Sequence, residues 1–184
     1  MQPVARICVG VAILGLIGCA GFPVYNVQYE DTYHAGETKF LPELPVVVKG
    51  NPFAVTQAQF DSAVVDGMQG WSGSSDVLTA TGDPNSPYRV IIVFNPVSHG
   101  YTSGICDRPL KTEGAFGAAP SAQVPMAAAV CRGDTWLSYL SGPIDTAGGP
   151  DGGAFRSGIQ QATLLLLPVQ NPLANSTRDG CAHC

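Results

Sequence analysis

Hydrophobic residues in this chain come in short runs separated by glycine, proline and serine, and the spacing within the runs changes from one to the next. Residues 88–95 read Tyr-Arg-Val-Ile-Ile-Val-Phe-Asn. A nearly continuous apolar run of this length predicts a strand buried on both faces, and therefore a central one. Val46-Val47-Val48-Lys49, closed by Gly50-Asn51-Pro52, predicts a shorter strand and a turn. Residues 122–132 and 135–141 predict the arms of a hairpin about Arg132-Gly133-Asp134, where glycine tolerates positive φ. In the second arm Trp136, Ser138 and Leu140 alternate with Leu137 and Tyr139, which places the two sets on opposite faces.

Two segments follow the helical period instead. Over residues 53–70, Phe60, Ala63, Val64 and Met68 recur at three- and four-residue steps. Thr56 with Gln59 forms a Thr-x-x-Gln capping box, and Gly67 and Gly70 close the segment. Over residues 154–167, Phe155, Ile159, Ala162 and Leu166 share a face, and Pro168 ends the pattern because it cannot continue helical bonding. Asp151 is a candidate cap for this second helix. Residues 71–87, 97–120 and 145–153 read as loops from their Gly, Ser, Asp, Asn and Pro content. The order is strand, helix, strand, strand, strand, helix. It predicts an α+β two-layer sandwich: a mostly antiparallel sheet of about four strands with two helices on one face.

The 184 residues fit one compact domain. Nine basic and 14 acidic side chains give a net charge of −5. That balance excludes a nucleic-acid partner, whose binding needs a Lys/Arg patch. The first 18 residues have one charge, Arg6, followed by an apolar run from Ile7 to Gly18, too short to span a bilayer and suited to a secretory signal. The run ends Leu16-Ile17-Gly18-Cys19. Small residues ahead of a thiol suit a peptidase cleft and a thioether-linked lipid.

This segment resembles the lipobox of bacterial lipoproteins. The resemblance implies cleavage before Cys19, acylation of its thiol and its new amine, and, with Ala20 next, sorting to the periplasmic face of the outer membrane. The run Val130-Cys131-Arg132-Gly133-Asp134 is similar to that of proteobacterial envelope lipoproteins with no assigned activity, and implies location only. The expected organisation is a signal peptide (1–18), a lipid-anchored tether (19–45) whose aromatic residues can pack on the body, an α+β domain (46–168) and a polar tail (169–184). Removing the signal takes Arg6 away and leaves a more acidic body. The lipid, rather than a basic patch, would then hold it at an anionic surface.

Of six cysteines, Cys8 leaves with the signal and Cys19 is expected to carry lipid. Cys106, Cys131, Cys181 and Cys184 remain, and three pairings are possible. Cys106–Cys131 with Cys181–Cys184 is the expected one, since the first bond would staple the long loop between two strands in an oxidising compartment.

Candidate chemistry is sparse. His99 follows the central strand, where ligand sites gather, and has Ser98, Ser103, Asp107 and Asp134 as sequence neighbours or loop partners. A hydrolase constellation can be drawn from these. The competing reading is a loop histidine that hydrogen-bonds to backbone. Cys106 beside His99 would give a thiol enzyme only if Cys106 stays reduced. Cys181, His183 and Cys184 offer soft ligands to a metal, or a redox pair, although no helix follows to activate a thiol. The leading expectation is a non-catalytic interaction module of the envelope. It would have the membrane and a protein as partners and no cofactor, with the hydrolase or thiol enzyme and the metal or redox tail as alternatives.

Overall fold

The computed structural model describes residues 24–30, 33, 43–71, 77–80, 83, 85–96, 104–108, 114 and 122–169. Among them the elements run β1 (Asn26–Tyr29), β2 (Glu43–Lys49), α1 (Gln57–Met68), β3 (Val77–Thr79), β4 (Tyr88–Phe94), β5 (Gln123–Arg132), β6 (Thr135–Asp145) and α2 (Gly153–Leu166). The strands form a six-stranded sheet in the order β1-β6-β5-β4-β2-β3. β4, β5, β6 and β1 pair antiparallel, whereas β2 lies parallel to both β4 and β3. The expected α+β sandwich is therefore the observed class, with a mixed sheet two strands wider than the hydrophobic pattern suggests.

The apolar run of β4 has the cause inferred from it. Val90, Ile92 and Phe94 enter the large core beneath the helices, while Ile91 and Val93 enter a second cluster on the opposite face. α1 and α2 both pack on the first face. Phe60 of α1 and Phe155 of α2 meet there, with Phe94 4.9 Å from the Phe60 ring and 6.0 Å from that of Phe155. The Phe60–Phe94 pair is edge-to-face and the contacts of Phe155 with these two rings are tilted, and such contacts add to the burial of the rings themselves. The Thr56–Gln59 capping box forms as expected at α1. At α2 the N-cap is Gly152, with no side-chain bond, so Asp151 does not cap the helix. Gly152 is required there for space, because a Cβ would lie 2.5 Å from the Ala147 carbonyl oxygen.

Three differences from the sequence pattern have physical causes. β1 lies within the stretch read as tether, because it has four residues and only two partly buried side chains, Val27 and Tyr29. β3 lies within a stretch read as loop, because it has three residues and a single fully buried side chain, Leu78. The alternation assigned to β6 breaks at a bulge. Val130 faces Ser138 and Cys131 faces Trp136, which leaves Leu137 as the extra residue. Leu137 accordingly joins the helix-side core with Leu140, and Trp136 joins Tyr139 on the other face.

Candidate functional site

The face opposite the helices carries Cys106 and Cys131, two of the residues singled out from the sequence. Ala127 and Ala129 of β5 leave shallow ground there, and Ile105 and Cys106 fill it. Cys106 and Cys131 are joined by a disulfide with Cα atoms 5.6 Å apart, as expected, and both are buried. The thiol-enzyme alternative loses its nucleophile, because a sulfur held in a buried cystine has no thiolate to offer.

Arg89 is the buried ion at this place. It enters from β4 next to Cys131, its partner across the β4–β5 ladder, and is 1% exposed. Its guanidinium donates to the carbonyls of Ser86 (3.2 Å), Gly133 (3.0 Å) and Cys106 (2.6 Å). Burial pushes its pKa down from the ordinary arginine value, the nearby Arg108 charge adds to this, and Asp134 opposes it. The side chain therefore ties three separate segments together: the approach to β4, the β5–β6 turn and the stapled 104–108 segment. Gly133 has φ of +61° and donates its N–H to Pro87, so the expected turn chemistry holds at Arg132-Gly133-Asp134. On the surface Arg108 donates to Asp134 at 2.7 Å, with both side chains about half exposed.

Of the hydrolase candidates, Asp134 is thus engaged by Arg108. Asp107 follows Cys106 in a turn where its N–H donates to the Gly104 carbonyl. His99, Ser98 and Ser103 lie outside the described residues, as do Cys19 and the tail residues Cys181, His183 and Cys184. Among the described residues no group of three His, Cys, Asp or Glu side chains is placed to hold a metal.

No family model matches this chain, and no curated protein does. Its course is similar to that of PelC from Paraburkholderia phytofirmans. One PelC dodecamer aligns over 80% of this chain and 98% of its own, at 13% identity and a TM-score of 0.42. A second crystal form aligns over 81% and 99%, at 10% identity and 0.44. No residue assignment transfers at that distance.

The remaining geometry concerns tyrosines that the sequence reading left in the tether. Tyr25, Tyr29 and Tyr33 are spaced by four; the extended β1 segment puts the first two on one side, and Tyr33 follows a turn in which its N–H donates to the Glu30 carbonyl. Each phenol donates to a carbonyl near α2: Tyr25 to Gly158 (3.3 Å), Tyr29 to Leu165 (2.7 Å) and Tyr33 to Pro168 (3.3 Å). Burial raises all three pKa values, that of Tyr25 to about 12. Gly142 of β6 makes room for this docking, since a Cβ there would lie 2.7 Å from the Tyr25 ring and 2.8 Å from the Val24 oxygen. The even spacing of the tyrosines was the available signal.

An open groove of about 520 Å³ lies on the helix side, between α1 and the loop ahead of α2. Gln59, Ser62, Asp66 and Asp151 are its polar lining, with neither histidine nor cysteine beside them among the described residues. Carboxylates, an amide and a hydroxyl of this kind can hydrogen-bond a ligand.

Proposed function

We propose that this protein is exported, cut before Cys19, acylated on that residue, and held on the periplasmic face of the outer membrane as a non-catalytic interaction module. The observation that carries the reading is the Leu16-Ile17-Gly18-Cys19 pattern preceding a body whose two described cysteines are cross-linked in its interior. A disulfide of this kind persists in an oxidising compartment and is rare in a reducing one. Two or more acyl chains anchor stably, where one alone would not. The body is the sandwich together with its docked β1, so the free tether is limited to the residues between Cys19 and that strand. Its partner is a protein of the envelope. Trp71 and Val77, 41% and 53% exposed, lie where α1 ends and the short edge strand β3 begins, and supply apolar surface for such a contact.

The test is metabolic labelling with an alkyne fatty acid, followed by fractionation of the envelope. Label on the wild type in the outer-membrane fraction, absent from Cys19→Ser, is the expected result. A wild-type protein that retains residues 1–18 and takes up no label would overturn the reading. Cross-linking in intact envelopes then addresses the partner, which should be captured from the wild type and reduced for Trp71→Ala.

A further inference from the structure

We infer that the docking of β1 orients the body on the bilayer, with the 145–153 loop and the starts of both helices against the lipid surface and the 132–135 hairpin pointing away. This rests on the acylation of Cys19 proposed above. The sheet has two ends. Lys49, Phe94, Gln123, Asp145 and Asn26 lie at one, as the pairings require, and α1 and α2 both begin there. Glu43, Tyr88 and the β5–β6 turn lie at the other.

The chain is fixed at Tyr25, through its bond to Gly158 and its close approach to Gly142. From Cys19 to Tyr25 is a run of six residues, which can reach at most about 20 Å when fully stretched. Gly142 pairs with Met126, six residues from Arg132 along the regular strand β5, a rise of about 20 Å, and the turn at Gly133-Asp134 projects further still. An inverted body, with its hairpin on the lipid, would therefore need the leash at its full stretch or beyond, whereas the upright body leaves it slack. If β1 were undocked, the next strand in the sheet would begin at Glu43, and the leash from Cys19 would extend to about 80 Å. Any orientation would then be open. Hence the three tyrosines convert a loose tether into a short one. The lipid-facing end needs no affinity of its own. It carries the carboxylates of Asp145 and Asp151, and the anchor alone brings it to the surface.

The test uses the full-length acylated protein in phosphatidylcholine–phosphatidylglycerol vesicles that contain an energy-transfer acceptor lipid. A donor dye is attached through an azido amino acid at Ala147 or at Thr135, both exposed. Transfer several-fold stronger from 147 than from 135 is expected. Inserting a flexible Gly/Ser segment of roughly eighteen residues between Phe22 and Pro23 lengthens the leash without touching the docked tyrosines. It should bring the two positions close to equality. Equal transfer in the uninserted protein, stronger transfer from 135, or a preference that survives the insertion would each overturn the orientation. A mass spectrum without acyl chains on Cys19 would instead overturn the anchoring reading, and the orientation with it.

Discussion

Arg89 is the only polar side chain in the interior of the apolar run 88–94, and it solves a bonding problem for its neighbours. Three carbonyls from segments without regular pairing converge on it. The planar fork of an arginine serves all three from two nitrogens set apart, a spread that the compact ammonium of a lysine does not reproduce. Arg89→Met keeps the length and the apolar stem but leaves buried acceptors unpaired. A loss of about 3 kcal/mol is expected, read from urea unfolding. The cystine beside it closes a separation of 25 residues. Replacing both cysteines by alanine should cost about 3.5 kcal/mol on the chain-entropy account, by the same measurement. The tyrosines give a dependence on pH. Their folded pKa values lie above the free phenol value of about 10. The stability they contribute is thus complete below that value and is lost as pH rises through the folded values. Tyrosinate absorbance should show part of the tyrosine population titrating late, toward pH 12 for Tyr25, together with loss of hydrogen-exchange protection in β1.

At the level of elements, the sequence was most legible where periodicity is long and apolar. Both helices, β4, β5 and the hairpin come from that signal, and the capping box at Thr56 located the start of α1. β1 and β3 were hidden for the converse reason: each is short, lies at an edge, and buries only part of what it carries. The β6 bulge was hidden because a single inserted residue exchanges the faces of its neighbours without altering composition. The candidate site was legible only in its cystine. No pattern announces a buried arginine whose partners are backbone carbonyls, since those partners have no residue identity. The helix pair offers a test of packing. Gly67 of α1 leaves room for Ile159 of α2, whose Cγ2 would lie 3.1 Å from an added Cβ. Gly67→Val should destabilise by about 1–3 kcal/mol through overpacking, as a lowered urea midpoint with an unchanged slope.

Taken whole, and on the anchoring proposed above, the molecule would be an acidic body on a lipid leash, with charge and anchor acting in opposite directions. Cys19→Ser should move the protein from the membrane to the soluble fraction after cell disruption, with the fold and its cystine intact by circular dichroism and thiol assay. The sheet also imposes an order in time. Tyr25 bonds to a carbonyl 133 residues downstream, and β1 pairs with residues 138–141. Among the described strands the last to be synthesised is therefore β6, and its partner β1 is the first. It must wait, unpaired, until nearly the whole body has emerged, because such distant closures are slow compared with local ones. In pulsed hydrogen exchange during refolding, amides 26–29 should gain protection after those of the β5–β6 hairpin. On the proposed anchoring, a nascent chain stalled before residue 138 would be tethered but without a fixed bearing, and only the arrival of the final quarter would set it upright.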